Sequence, residues 1–263
     1  MTLIHAIILG IIEGITEFLP VSSTGHMILA SSLMQLADDE FAKTFEIVIQ
    51  FAAVLAVLTL YYKRFLVGIN IYLKLFVAFL PTGIIGFLAY KAIKTYLFNP
   101  YTVSIALVTG GVLLIVLDKW AEKKTSLYTS PDKISYGGAF KIGLIQCLSM
   151  IPGVSRSAAT IFGGIFNGFD RKLAAEFSFL LAIPTMFAAT GYDLLKSKEH
   201  IHADNLFLLL VGGAVAFVFA IIAVKAFITY LNRYGFKNFG YYRIVLGVLF
   251  LTYALYTGIV LKS

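Results

Sequence analysis

Of the chain's 263 residues, 59% are hydrophobic and 13% charged, about half the charge of a soluble domain, for which roughly 25% is usual. That excludes a soluble globular domain and points to a polytopic helical membrane protein, because lipid tolerates an apolar exterior but demands internally satisfied backbone. The net charge of +7 sits in short loops between apolar runs, which fits topology signals and not a nucleic-acid surface.

In chain order, residues 3–35 are apolar but interrupted midway at FLPVSSTGH. Residues 44–62 and 101–118 read as uninterrupted spans, and 72–91 as a span containing Pro81. Residues 137–168 are again interrupted, at MIPGVSRSAAT. A further span, 172–192, contains Pro184, and 205–231 and 241–260 complete the set. Membrane helices tolerate such prolines as kinks. Each half of the two interrupted segments is too short to cross a bilayer at about 1.5 Å per residue, so each pair predicts a re-entrant helical hairpin with its broken tip at membrane depth.

GIIEGITEFLPVSSTGH aligns with GLIQCLSMIPGVSRSAAT: Gly10 falls on Gly143, Glu13 on Gln146, Thr16 on Ser149 and, after a one-residue slip at the proline, Ser22 on Ser155 and Ser23 on Arg156. The following segments continue the match, Glu46 on Glu176. A duplicated half-protein leaves such symmetry. The expected fold is therefore an all-α polytopic membrane protein, one domain over 1–263 with internal repeats at about 1–118 and 119–263. It has an inverted topology of six transmembrane helices, and its two re-entrant hairpins meet near the midplane. Thirteen Lys and Arg lie in the loops on one side, Lys74 and Arg243 among them, against six on the other. The positive-inside rule makes the richer side cytoplasmic and puts both termini outside. The amino terminus lacks the basic stretch and cleavage site of a signal peptide. Cys147, the single cysteine, excludes an internal disulfide and reads as a small buried hydrophobe.

The polar residues of the two tips carry the chemistry. Glu13 and Glu17 lie one helical turn apart on one face. Two carboxylates in a low dielectric call for a proton or a cation between them, and a hard ion such as Mg²⁺ or Ca²⁺ suits them. Ser22 or Ser23 reads as the N-cap of the next half-helix, and Ser155 as its counterpart in the second tip. Two half-helix N-termini then point at one site and favour an anion. Arg156 adds a fork that matches phosphate oxygens, and Thr24, Ser157 and Thr160 extend the hydroxyl lining. Arg156 could equally be a buried ion pair with Glu17 or Glu13 that holds the tips together. His26, three residues after Ser23, can move a proton or attack phosphorus. Glu46 and Gln50 suit supporting roles; Glu176 is equally explained by packing. His200 and His202, near Glu199 and Asp204, read as a solvated outer loop, and His5 gives no signal.

Residues Gly10–Met27 and PGVSRSAAT at 152–160 resemble the two signature regions of the undecaprenyl-diphosphate phosphatases, the bacitracin-resistance family. The resemblance extends to FEIVIQ, to FNP at 98–100 and to EFSFLLAIP, nearly the whole chain. It implies a hydrolase that removes the terminal phosphate of the C55 polyprenyl diphosphate carrier, recycling it for peptidoglycan synthesis in the bacterial plasma membrane and conferring bacitracin resistance. It implies a Mg²⁺ or Ca²⁺ requirement, a site opening on the outer face, and a homodimer. The family's glutamate motif falls on Glu13 and Glu17, its serine–histidine segment on Ser22, Ser23 and His26, and its arginine motif on Ser155, Arg156, Ser157 and Thr160. Ser23 is the expected nucleophile, with His26 and metal-bound water as rivals. The competing class is a polyprenyl-phosphate flippase, since broken helices at the midplane also suit a carrier.

Overall fold

A computed structural model describes residues 1–66, 68–122, 125–197 and 205–257; His200 and His202 lie outside them. The described chain is helical, and its helices begin where the sequence supplies caps. Thr2 and His5 form a reciprocal capping box at the start of α1 (Leu3–Thr16), which gives His5 its use. Asp39 caps the N–H groups of Phe41 and Ala42 at the start of α3 (Glu40–Phe65). α4 (Ile69–Leu97) runs on through Pro81. In the FNP stretch, Asn99 accepts from the Thr102 N–H at 2.9 Å and Pro100 occupies the first turn of α5 (Pro100–Ala121). α8 (Arg171–Ser197), which contains Pro184, α9 (Leu206–Tyr234) and α10 (Lys237–Thr257) complete the long helices. Among the described residues, six helices are long and apolar enough to cross a membrane: α3, α4, α5, α8, α9 and α10.

The short helices come in two pairs. α1 stops at Thr16 and α2 (Ser23–Leu33) starts after Pro20; α6 (Tyr136–Gln146) passes through a 3-10 turn, Cys147–Met150, before α7 (Arg156–Phe166). Each pair reaches far along the chain or across the repeats: α1 lies against α9 and α6 against α4, while α7 lies on its sequence neighbour α8 and α5 pairs with α10. Small residues permit these crossings. A Cβ on Gly14 would sit 2.5 Å from the Ala216 carbonyl oxygen, and one on Gly143 only 2.0 Å from that of Ala78. A buried aromatic cluster that includes Phe18, Phe177, Phe179, Phe227 and Phe236 fills the centre, whereas Leu88, Val116 and Leu249 stand exposed on the outside, as lipid-facing residues do. Gly14→Val is expected to force α1 off α9 and lower stability by about 3 kcal/mol; thermal unfolding in detergent is the check.

Two of the cations expected in cytoplasmic loops are elsewhere. Arg243 is fully buried on α10, and Lys74 is 9% exposed on α4 with its ammonium donating to the Ile134 carbonyl. Both lie within a turn or two of a helix start, so position in sequence alone made them look like loop charges. Each instead uses its length to reach main-chain carbonyls inside the fold.

Candidate active site

The two chain breaks come together. At the first, Ser22 caps α2 by accepting from the Gly25 N–H at 3.4 Å; at the second, Ser155 caps α7 by accepting from the Ala158 N–H at 3.2 Å. Both serines have positive φ, 71° and 76°, a conformation non-glycine residues hold only when their surroundings enforce it. Both face one cavity of about 430 Å³. Around it, Glu17, Ser22, Ser23, Thr24, Ser155 and Arg156 supply polar groups, while Phe79, Gly83, Gly86 and Phe87 of α4 and Met186, Ala188 and Ala189 of α8 supply an apolar wall. Tyr90 and Asp193, joined by a 2.6 Å hydrogen bond, also line it.

Glu17 is the link between the breaks. Its Oε2 accepts from Ser23 Oγ at 2.6 Å, and its Oε1 accepts from Arg156 Nη2 at 2.8 Å. The side chains of Glu17 and Arg156 are 4% and 9% exposed. Arg156 Nη1 donates to the Ser178 carbonyl at 3.1 Å, and the guanidinium lies 5.6 Å from the Phe18 ring; its Nε has no partner. The arginine–glutamate pair foreseen as an alternative role for Arg156 is therefore present, in the cavity wall.

Other expected residues fall differently. Ser157 and Thr160 are fully buried and do not extend the lining. Ser157 Oγ donates to the Phe18 carbonyl at 2.8 Å, tying α7 to the first break; Thr160 Oγ1 lies 2.6 Å from Ser178 Oγ and 2.9 Å from the Arg156 carbonyl. Ser157 thus faces the first break and Thr160 the α7–α8 contact. His26 also stands apart from the Ser23–Glu17–Arg156 chain. Its Nδ1 donates to the Ser22 carbonyl at 2.8 Å, which leaves Nε2 to accept from the Tyr242 hydroxyl at 2.6 Å, with the two rings stacked 5.6 Å apart. Tyr242 and Ser178 gave no signal in the sequence, each being one polar residue inside an apolar span. Tyr242→Phe keeps the stack and removes one hydrogen bond, so a stability loss of about 1 kcal/mol is expected, with turnover reduced by less than about tenfold. Thermal unfolding and rate measurements check both. A loss as deep as that of a missing nucleophile would give His26 a chemical role.

Among the described residues there is no group of three or more His, Cys, Asp or Glu placed to hold a metal ion. Glu13, 1% exposed, has an Oε1 with no hydrogen-bond partner, one turn behind Glu17. This donor set fits a hard divalent ion that takes its remaining ligands from a bound phosphate group, as Mg²⁺ commonly does. Glu46 is engaged by the Ser31 hydroxyl, and Gln50 lines the cavity.

A hydroxyl bonded to a carboxylate, beside a guanidinium and two helix N-termini, is a layout for handling and transferring a phosphoryl group within a bundle of membrane-length helices. The class is thus a multi-pass membrane protein with a polar-ended cavity among its helices. The family model described as bacitracin resistance protein BacA matches residues 6–249, and the chain belongs to that family. Similar proteins named undecaprenyl-diphosphatase include that of Wolinella succinogenes, 54% identical over 96% of this chain and 98% of its own. That of Bdellovibrio bacteriovorus is 55% identical over 98% of both chains. That of Aquifex aeolicus is 46% identical over 97% of this chain and 100% of its own.

Proposed function

We propose that this chain hydrolyses undecaprenyl diphosphate to undecaprenyl phosphate and inorganic phosphate, with the chemistry at Ser23, Glu17 and Arg156. The observation that carries the reading is the Glu17 carboxylate, shared between the Ser23 hydroxyl and the Arg156 guanidinium at 2.6 and 2.8 Å. Ser23 Oγ attacks the terminal phosphorus in line while Glu17 takes the hydroxyl proton. The bond from that phosphorus to the bridging oxygen breaks, and undecaprenyl phosphate leaves. Water then hydrolyses the phosphoserine, releasing inorganic phosphate. Arg156 and the first-turn N–H groups of α2 and α7 stabilise the charge on the transferring group. Glu17, with Glu13 one turn behind it, would hold a divalent ion, which would supply charge neutralisation for the bound diphosphate. Ser22, Thr24 and Ser155 hold phosphate oxygens; Ser157 and Thr160 hold α7 in place.

The two broken helix pairs act as re-entrant hairpins from opposite faces, each the counterpart of the other in two inverted repeats, about 1–118 and 119–263. The swapped packing of α1 on α9 and of α6 on α4 supports this. The loop charges then orient both termini and the cavity mouth to the outer face of the bacterial plasma membrane. The diphosphate head sits at the serines, and the prenyl tail leaves along the apolar wall between α4 and α8. A flippase needs the anion cradle but no hydroxyl bonded to a buried carboxylate, so hydrolysis is the better reading.

The test is phosphate release from a long-chain prenyl diphosphate by detergent-purified protein, with and without EDTA, alongside Glu17→Ala and Arg156→Ala. Cation-dependent release lost in both variants is the expected result. Lipid binding without release under any cation would defeat the enzyme reading.

A further inference from the structure

Arg243 of α10 is distant in sequence from both breaks, fully buried, and not among the residues lining the cavity. A guanidinium has five N–H donors in a fixed plane, and here all meet backbone carbonyls. Nη1 donates to Pro20 at 3.0 Å and to Val154 at 2.9 Å. Nη2 donates to Gly153 at 2.8 Å and to Ala106 at 3.0 Å; Nε donates to Leu107 at 3.4 Å. One nitrogen thus bridges the two breaks, and the other two anchor them to α5. The gripped carbonyls adjoin the strained caps: that of Val154 belongs to the peptide bond leading into Ser155, and that of Pro20 lies two residues before Ser22. α5 makes room with glycine, since a Cβ on Gly110 would lie 2.2 Å from Nη2.

We propose that Arg243 is a positioning residue for the hydrolysis: it fixes the first break relative to the second, and so sets Ser23 and Glu17 against Arg156. The inference rests on the hydrolytic reading of the site. The Ser157–Phe18 and Arg156–Glu17 bonds also join the two breaks, but only Arg243 holds the Pro20 and Gly153 carbonyls that lead into the two caps. Lysine keeps the charge but, as a point donor, cannot span five acceptors in a plane. Displacement of reacting groups by about 1 Å can slow a reaction about 100-fold.

The experiment compares wild type, Arg243→Lys and Arg243→Ala by steady-state phosphate release and by thermal unfolding in detergent. Expected is a kcat about 100-fold lower in both variants, with KM changed by less than about threefold. Millimolar guanidinium ion is expected to restore at least about tenfold of kcat in Arg243→Ala, and methylammonium none. Wild-type kcat per folded enzyme in Arg243→Lys overturns the proposal, as does a loss that guanidinium does not relieve. If neither variant folds, Gly110→Ala decides, because it pushes the guanidinium aside without removing it. A fall in kcat with near-native stability supports the proposal, and unchanged kcat overturns it. A wild type inactive under every cation defeats the hydrolytic reading itself and this proposal with it, whereas an active wild type with equally active variants defeats the positioning alone.

Discussion

Ser23→Ala should lower phosphate release by about three orders of magnitude or more, the scale of a lost nucleophile, while His26→Ala should lower it by only about tenfold. The asymmetry follows from where the two side chains spend their hydrogen bonds. Ser23 Oγ faces the cavity and already gives its proton to Glu17 Oε2 at 2.6 Å, the geometry a general base needs. Both ring nitrogens of His26 are committed, to the Ser22 carbonyl and to Tyr242, so the ring supports the cap of α2. Turnover at saturating long-chain prenyl diphosphate is the measurement. If Ser23→Ala stays near wild type while His26→Ala abolishes release, the nucleophile is the histidine.

Arg156→Lys should lower turnover by about 10³-fold, the scale of a lost arginine that stabilises a phosphoryl transition state. The guanidinium spans Glu17 with one nitrogen and the Ser178 carbonyl with another, a reach one ammonium cannot copy. Arg156→Ala adds a stability loss of about 3–5 kcal/mol, because Glu17, 4% exposed, is left buried without its counter-charge. The two effects separate in Glu17→Gln/Arg156→Met, where no buried charge is stranded. That double variant should recover most of the unfolding temperature and none of the turnover. Thermal unfolding and phosphate release on the same preparations check this, and recovered turnover would show the pair to be structural.

The six long spans were legible because an apolar run of membrane length has few other uses: four expected runs lie wholly inside a helix, 205–231 starts one residue ahead of α9, and the described part of 241–260 lies in α10. The two interruptions were legible for the same reason reversed: Pro20 and Pro152 with clustered serines break an otherwise unbroken apolar pattern. Ser155 as a cap followed from residue type. The left-handed backbone of Ser22 and Ser155 did not, because nothing in a serine announces it. Ser157 and Thr160 were misplaced because sequence gives the turn but not which flank of α7 meets α8. Arg243 was read as a topology charge because its acceptors are main-chain carbonyls, which leave no complementary carboxylate to find. Tyr242, beside it, was invisible as one more tyrosine in an apolar span.

The grip of residue 243 on Pro20 carries a consequence for biogenesis. Glu13, Glu17 and Ser23 leave the ribosome before Arg156, which pairs Glu17, and well before Arg243, which grips the break they flank. At about 5–20 residues per second, Glu17 waits on the order of 7–28 s for Arg156, and the first break on the order of 10–45 s for Arg243. The grip on both breaks thus forms only after α10 has been made. A chain that stops before α10 keeps the Glu17–Arg156 pair but lacks the donors that hold the Pro20 and Val154 carbonyls.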